Sequence, residues 1–140
     1  MSGRQRVQRL SRLLAMGEHR ARASAREFAV AVARSAEAAD RLSQIEGLLL
    51  TAGPVAARQG VAGLAAAAQL RTLLMPAATV ASERLTAAHA DRRAAELRLE
   101  TSRARVRRLS DLHDDARRAM TGHALAREAE SRPAASRRKI

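Results

Sequence analysis

From Val7 to Leu49 the chain reads VQRLSRLLAMGEHRARASAREFAVAVARSAEAADRLSQIEGLL, and its apolar residues recur every three or four places. One seven-residue phase contains Val7, Leu14, Ala21, Phe28, Ser35, Leu42 and Leu49, and the positions three residues later are Leu10, Gly17, Ser24, Ala31, Ala38 and Ile45. Ten of these thirteen are apolar, where the overall composition alone would give about six. That period is the seam of a helix that packs along another helix, as in a coiled coil.

Working outward, Thr51-Ala52-Gly53-Pro54 reads as a helix stop. The glycine offers a left-handed cap, and the proline lacks the N–H that a continuing helix needs. Gly60 and Gly63 extend the break, so the expectation is a helix over 3–51, a break over 52–63 and a second helix over 64–131. The second helix carries its own heptad from Leu64 and Ala67 to Met120 and His123, with thirteen of eighteen seam positions apolar. Pro76 lies inside it, and a proline in a helix interior predicts a kink or a split there. Residues 132–140 are small and basic, which predicts a disordered tail.

Two heptad segments joined by a break bury their seams most simply on each other. The predicted fold is therefore all-α: a long antiparallel two-helix coiled-coil hairpin, the second helix kinked or split at Pro76. If Leu49 lies near Leu64, then Val7 lies near Val106, and the last two dozen helical residues overhang. If pairing starts after Pro76, the overhang shrinks to about ten residues. In both cases the end of the second helix is the free surface.

Composition supports this architecture over a thick globule. The only aromatic among 140 residues is Phe28, alanine supplies much of the 46% hydrophobic content, and strand-favouring residues are scarce. There is no cysteine, which removes disulfides and thiolate metal sites. The stretch Val61–Ala81 is poor in charge, but it contains Gln69, Arg71 and Pro76, and alanine contributes little to insertion, so no membrane span is expected. With 26 Lys+Arg against 14 Asp+Glu, the net charge is +12, which suits an acidic partner, nucleic acid or an anionic membrane surface.

No constellation in the sequence points to catalysis. His19, His89, His113 and His123 are too far apart to share a helical turn, so no metal or cofactor is expected. Asp114 and Arg118 have the spacing of an ordinary i, i+4 pair. The run Arg103, Arg105, Arg107 and Arg108 stands out more, since 103 and 107 share a face near the predicted overhang. A solvated basic face is the plain reading. An acidic protein partner is the functional one. Nucleic acid is disfavoured, because no aromatics are present for stacking and the cations spread along the whole chain. A membrane partner is at most peripheral, for lack of bulky apolar anchors beside a continuous basic face.

The opening Arg6-Val7-Gln8-Arg9-Leu10-Ser11-Arg12-Leu13-Leu14, the two heptad helices, and the pattern Leu70, Leu74, Ala77, Ala81, Leu85 in the second resemble the FliJ family. These are stalk and escort proteins of flagellar type III export. The resemblance is one of layout and covers nearly the whole chain. It implies a non-enzymatic cytoplasmic protein, peripheral to the inner-membrane export apparatus. Its implied partners are the hexameric export ATPase, the cytoplasmic domain of the export gate, and export chaperones. It also implies partner-binding surfaces at Leu70, Leu74, Ala77 and Ala81, to which the residue pattern adds Arg103, Arg107 and Arg108. Two other readings stand beside it: a basic helical protein that binds nucleic acid or ribosomal RNA, and a structural coiled coil that self-associates through its alanine-rich seam.

Overall fold

The computed structural model describes residues 2–132, and within them there are two helices and no strand. Helix α1 spans Gly3–Arg58 and helix α2 spans Gly60–Ser131. They pack against each other as an all-α helical hairpin. The predicted tail lies, from Pro133 onward, outside the described residues.

The start of α1 is fixed by its own side chains. The Gln5 N–H donates to Ser2 Oγ at 3.2 Å, and the Ser2 N–H donates to Gln5 Oε1 at 3.1 Å. This reciprocal capping box satisfies two of the N–H groups that a helix start leaves orphaned.

The predicted break at 52–63 is not present. α1 runs through Gly53 and Pro54 to Arg58, and only Gln59 separates it from α2. The left-handed stop assigned by sequence to Gly53 is made instead by Gly60, at φ +77°. Gly53 is half-buried, and a Cβ there would lie 3.8 Å from Arg71 Nη2, in ordinary contact with that guanidinium. Nor does Pro76 split α2, which continues through it. Pro76 is exposed, so the carbonyl that loses its helical donor there, on Thr72, lies on a part of the helix open to water.

The chain forms two compact units. The first joins the beginning of α1, through Ala23, to α2 from Glu100 onward. Here Gly3 faces Met120, with a Cβ built on Gly3 3.8 Å from Met120 Cβ. Gly17 is buried against Val106 and Leu109, and Ala116 is buried as well. The register is thus the one with the shorter overhang: Gly17 lies against Val106 and Leu109, and Gly3 reaches Met120. Beyond Met120, every described residue from Thr121 to Arg132 is exposed.

The second unit, Ser24–Leu99, contains the turn. Its buried apolar residues are Ala81, Ala95 and Leu99. Ser35 is buried at 3% exposure, and its hydroxyl donates to the Val32 carbonyl at 2.9 Å, which satisfies the polar group without a partner helix. Arg98 and Glu27 pair across the helices at 3.7 Å, both largely exposed.

All thirteen predicted seam positions of α1 are buried or half-buried. On α2 the same is true of twelve of the thirteen from Leu74 to Ala116, Arg92 being the exposed one. Most are half-buried because each seam has a single partner helix, so one side of every residue faces solvent. Small side chains are the consequence: alanine and glycine let two backbones approach where no third layer could cover bulkier groups.

Candidate interaction surface

In the first unit the seam carries small residues, Gly17 and Ala21, opposite Val106 and Leu109. Small side chains leave a shallow furrow between the helices, and beside Ala21 it forms a groove of about 360 Å³. Its floor is Ala21 and Val106. Its walls are Glu18 and Arg22 from α1 and Arg103 and Arg107 from α2. Arg103 and Arg107 are one helical turn apart and share the wall, as their spacing predicts. Arg22 comes from the other helix, and only the antiparallel register brings it there.

This groove can seat an acidic chain. Guanidinium groups present planar, multidentate donors to carboxylate or phosphate, while the apolar floor accepts a small aliphatic side chain. Glu18 adds one acceptor, which sets the order of charges that a bound segment must present. Arg108 is also exposed but does not line the groove.

The charge distribution corrects the sequence expectation of evenly spread cations. Among the described residues, the first unit has 14 cationic against 7 acidic, a net +7, and the second 9 against 7, a net +2. Most of the excess positive charge of the described residues therefore belongs to the unit that holds the arginine groove.

The apolar residues singled out early in α2 lie elsewhere. Ala81 is buried at 4% exposure, and Leu74 and Ala77 are half-buried. Their three- and four-residue spacing turns them toward α1, and Ala81 packs within the hairpin. It cannot double as a contact for another protein while the hairpin is closed. Leu70, at 41%, is the most exposed of the set.

Elsewhere in the first unit, Arg118 pairs with Asp115 at 3.9 Å rather than with Asp114. Asp114 instead lies 3.7 Å from Nδ1 of the seam histidine His113. Among the described residues no group of three or more His, Asp or Glu side chains converges as metal ligands would. Compared with family models, with curated proteins and with solved structures, the chain matches none.

Proposed function

We propose that the chain is a non-enzymatic coiled-coil hairpin of a type III export apparatus, a stalk for the export ATPase ring and an escort for export chaperones. The family part of this reading rests on the resemblance in layout described above. Its physical part rests on one observation: Arg22, Arg103 and Arg107, from both helices, surround an apolar groove in the unit whose described residues carry net +7. Acidic helical segments of an ATPase ring or a chaperone would meet the arginines with carboxylates and the floor with a small apolar residue. Exposed Leu70 and the overhang after Met120 are the remaining surfaces for the gate domain and for chaperones. The expected location is the cytoplasmic face of the inner membrane.

Contacts of this type set orientation and association rate more than raw affinity, and salt screens them. The test is the triple substitution Arg103→Glu, Arg107→Glu and Arg108→Glu, assayed for stimulation of the export ATPase. Stimulation should be lost while helicity by circular dichroism is kept. Undiminished stimulation in the triple variant refutes the mechanism.

A second reading is favoured by the concentration of charge: binding of nucleic acid or ribosomal RNA along the first unit. It predicts a log–log salt slope equivalent to several phosphate contacts. The stalk reading predicts no measurable RNA binding at physiological salt.

A further inference from the structure

From Gly47 to Ser82, spanning the turn of the second unit, the only charged residues are Arg58 and Arg71. Over the same stretch nine large aliphatic side chains are exposed, among them Leu50, Val61, Leu64, Leu73, Met75 and Val80. Val61 reaches 85% exposure and Leu73 73%. An apolar helix face is ordinarily turned to a core, and a helix that is apolar all round is ordinarily covered on every side. The beginning of α2 is apolar all round, yet α1 covers only its seam side.

We propose that this apolar tip docks on the same tip of a second copy of the chain, the two hairpins forming a four-helix contact. The large side chains alone supply about 60% of the area that a stable interface takes from each partner. Nine such side chains at these exposures leave on the order of 500 Å² of large-side-chain surface, taking roughly 100 Å² for a free aliphatic side chain. The largest patch on a monomeric protein is about 300–600 Å², and a stable interface takes about 800 Å² from each partner. The exposed alanines at 57, 62, 65, 66 and 68 lie between these side chains and extend the patch toward that size.

The polar groups of the tip do not oppose burial. Thr51, Thr72 and Thr79 donate their hydroxyls to the carbonyls of Gly47, Ala68 and Met75 at 3.1, 2.9 and 3.2 Å, leaving their methyls outward. Arg71 lies over Gly53, and Arg58 sits at the C-terminal end of α1, where a cation is favoured. No acidic residue lies in the stretch, and Arg58, Gln59, Gln69 and Arg71 are its exposed charged and amide groups, so two copies meet mainly through aliphatic surface.

A bilayer is the competing occupant, since α2 contains an 18-residue window of mean hydropathy 1.3, long and apolar enough by composition to cross one. The α1 side of the tip argues against it. Gly47 to Ala57 is the longest uncharged run before the turn; at 1.5 Å per residue it reaches about 16 Å, half of a hydrocarbon core about 30 Å thick. Dipping the tip would place Arg58 and Gln59 near the bilayer centre, the least favourable depth for a cation. The proposal concerns the second unit only, so it stands or falls apart from the arginine groove, and a dimer through this tip would exclude the gate contact proposed at Leu70.

Sedimentation velocity of the full chain tests it. The wild type should be dimeric at micromolar to tens-of-micromolar concentration, and Leu64→Glu with Leu73→Glu should weaken association by roughly tenfold or more. Both positions point outward, so helicity should be unchanged. Because the chain has no cysteine, Ala68→Cys should give a disulfide-linked dimer on oxidation, whereas Ala104→Cys in the first unit should not. A chain that stays monomeric throughout overturns the proposal. So does a chain that is monomeric in solution but floats with phosphatidylcholine–phosphatidylglycerol vesicles, or a dimer lost on Arg103→Glu with Arg107→Glu yet kept in the leucine variant.

Discussion

Gly17 gives the sharpest check on the seam. It is buried, and a Cβ built on it would lie 3.4 Å from Leu109 Cδ1 and 3.5 Å from Val106 Cγ2, within ordinary contact distance. Gly17→Ala therefore fills space without displacing a neighbour. Glycine inside a helix is about 0.8–1.0 kcal/mol less favourable than alanine. A newly buried methyl adds up to about 0.8 kcal/mol, trimmed by the tightness of the fit. The expected gain is about 1–1.5 kcal/mol. Gly17→Leu has no room for its additional carbons and should cost about 1–3 kcal/mol as the helices are forced apart. Gly47 supplies the control, since nothing lies within 4 Å of a Cβ there. Gly47→Ala should gain the propensity term alone, about 0.8–1.0 kcal/mol. The assay is urea unfolding followed by helical circular dichroism, at one fixed protein concentration because self-association would shift the midpoint. If Gly17→Ala is destabilised while Gly47→Ala is stabilised, the helices are closer at Gly17 than described here, and the seam packing is wrong.

Other consequences are equally direct. Gly60→Ala should lose roughly 1–2 kcal/mol, because its φ of +77° is strained for any residue with a Cβ, whatever the open space around it. Gly60→Asn, measured in the same unfolding series, should lose less. Ser2→Ala removes the serine half of the capping box and should cost about 1 kcal/mol, read as faster amide exchange in the first turn of α1. Glu27→Ala should change stability by less than about 0.5 kcal/mol in denaturant titration, since its pair with Arg98 is exposed on both sides.

The seam was legible because it is local. A residue seven places along returns to the same face whatever the partner, so the heptad from Val7 to Leu49 named every covered position of that series. Arg92, Ser102 and His113 were the polar positions in the second series from Leu74 to Ala116, and of these the structure leaves only Arg92, the charged one, exposed. The turn was not legible in the same way. Gly53-Pro54 and Gly60 carry similar stop chemistry, and the choice between them depends on α2 being present for α1 to cover. The register differed as well, and with it the neighbour of Val106, which is Gly17 rather than Val7. The groove was half legible: Arg103 and Arg107 share a face by spacing, but Arg22 joins them only through the register. Leu74 and Ala81 were seam positions by period and surface candidates only by the family resemblance, and their burial follows the period. The pair Ser2 and Gln5 could have been read as a capping box from its spacing alone.

The reversal of direction within a single residue, Gln59, removes all slack between the helices. For α1 to slip along α2 by one heptad, about 10 Å of chain would have to appear at the turn, and one extended residue supplies only about 3.5 Å. Slippage would require melting helix on one side and winding it on the other. In mechanical terms the turn works as a register pin. A piston-like movement of one helix past its neighbour is closed to this unit, and a signal passing through it has to be carried by bending, by rotation, or by movement of the paired helices together.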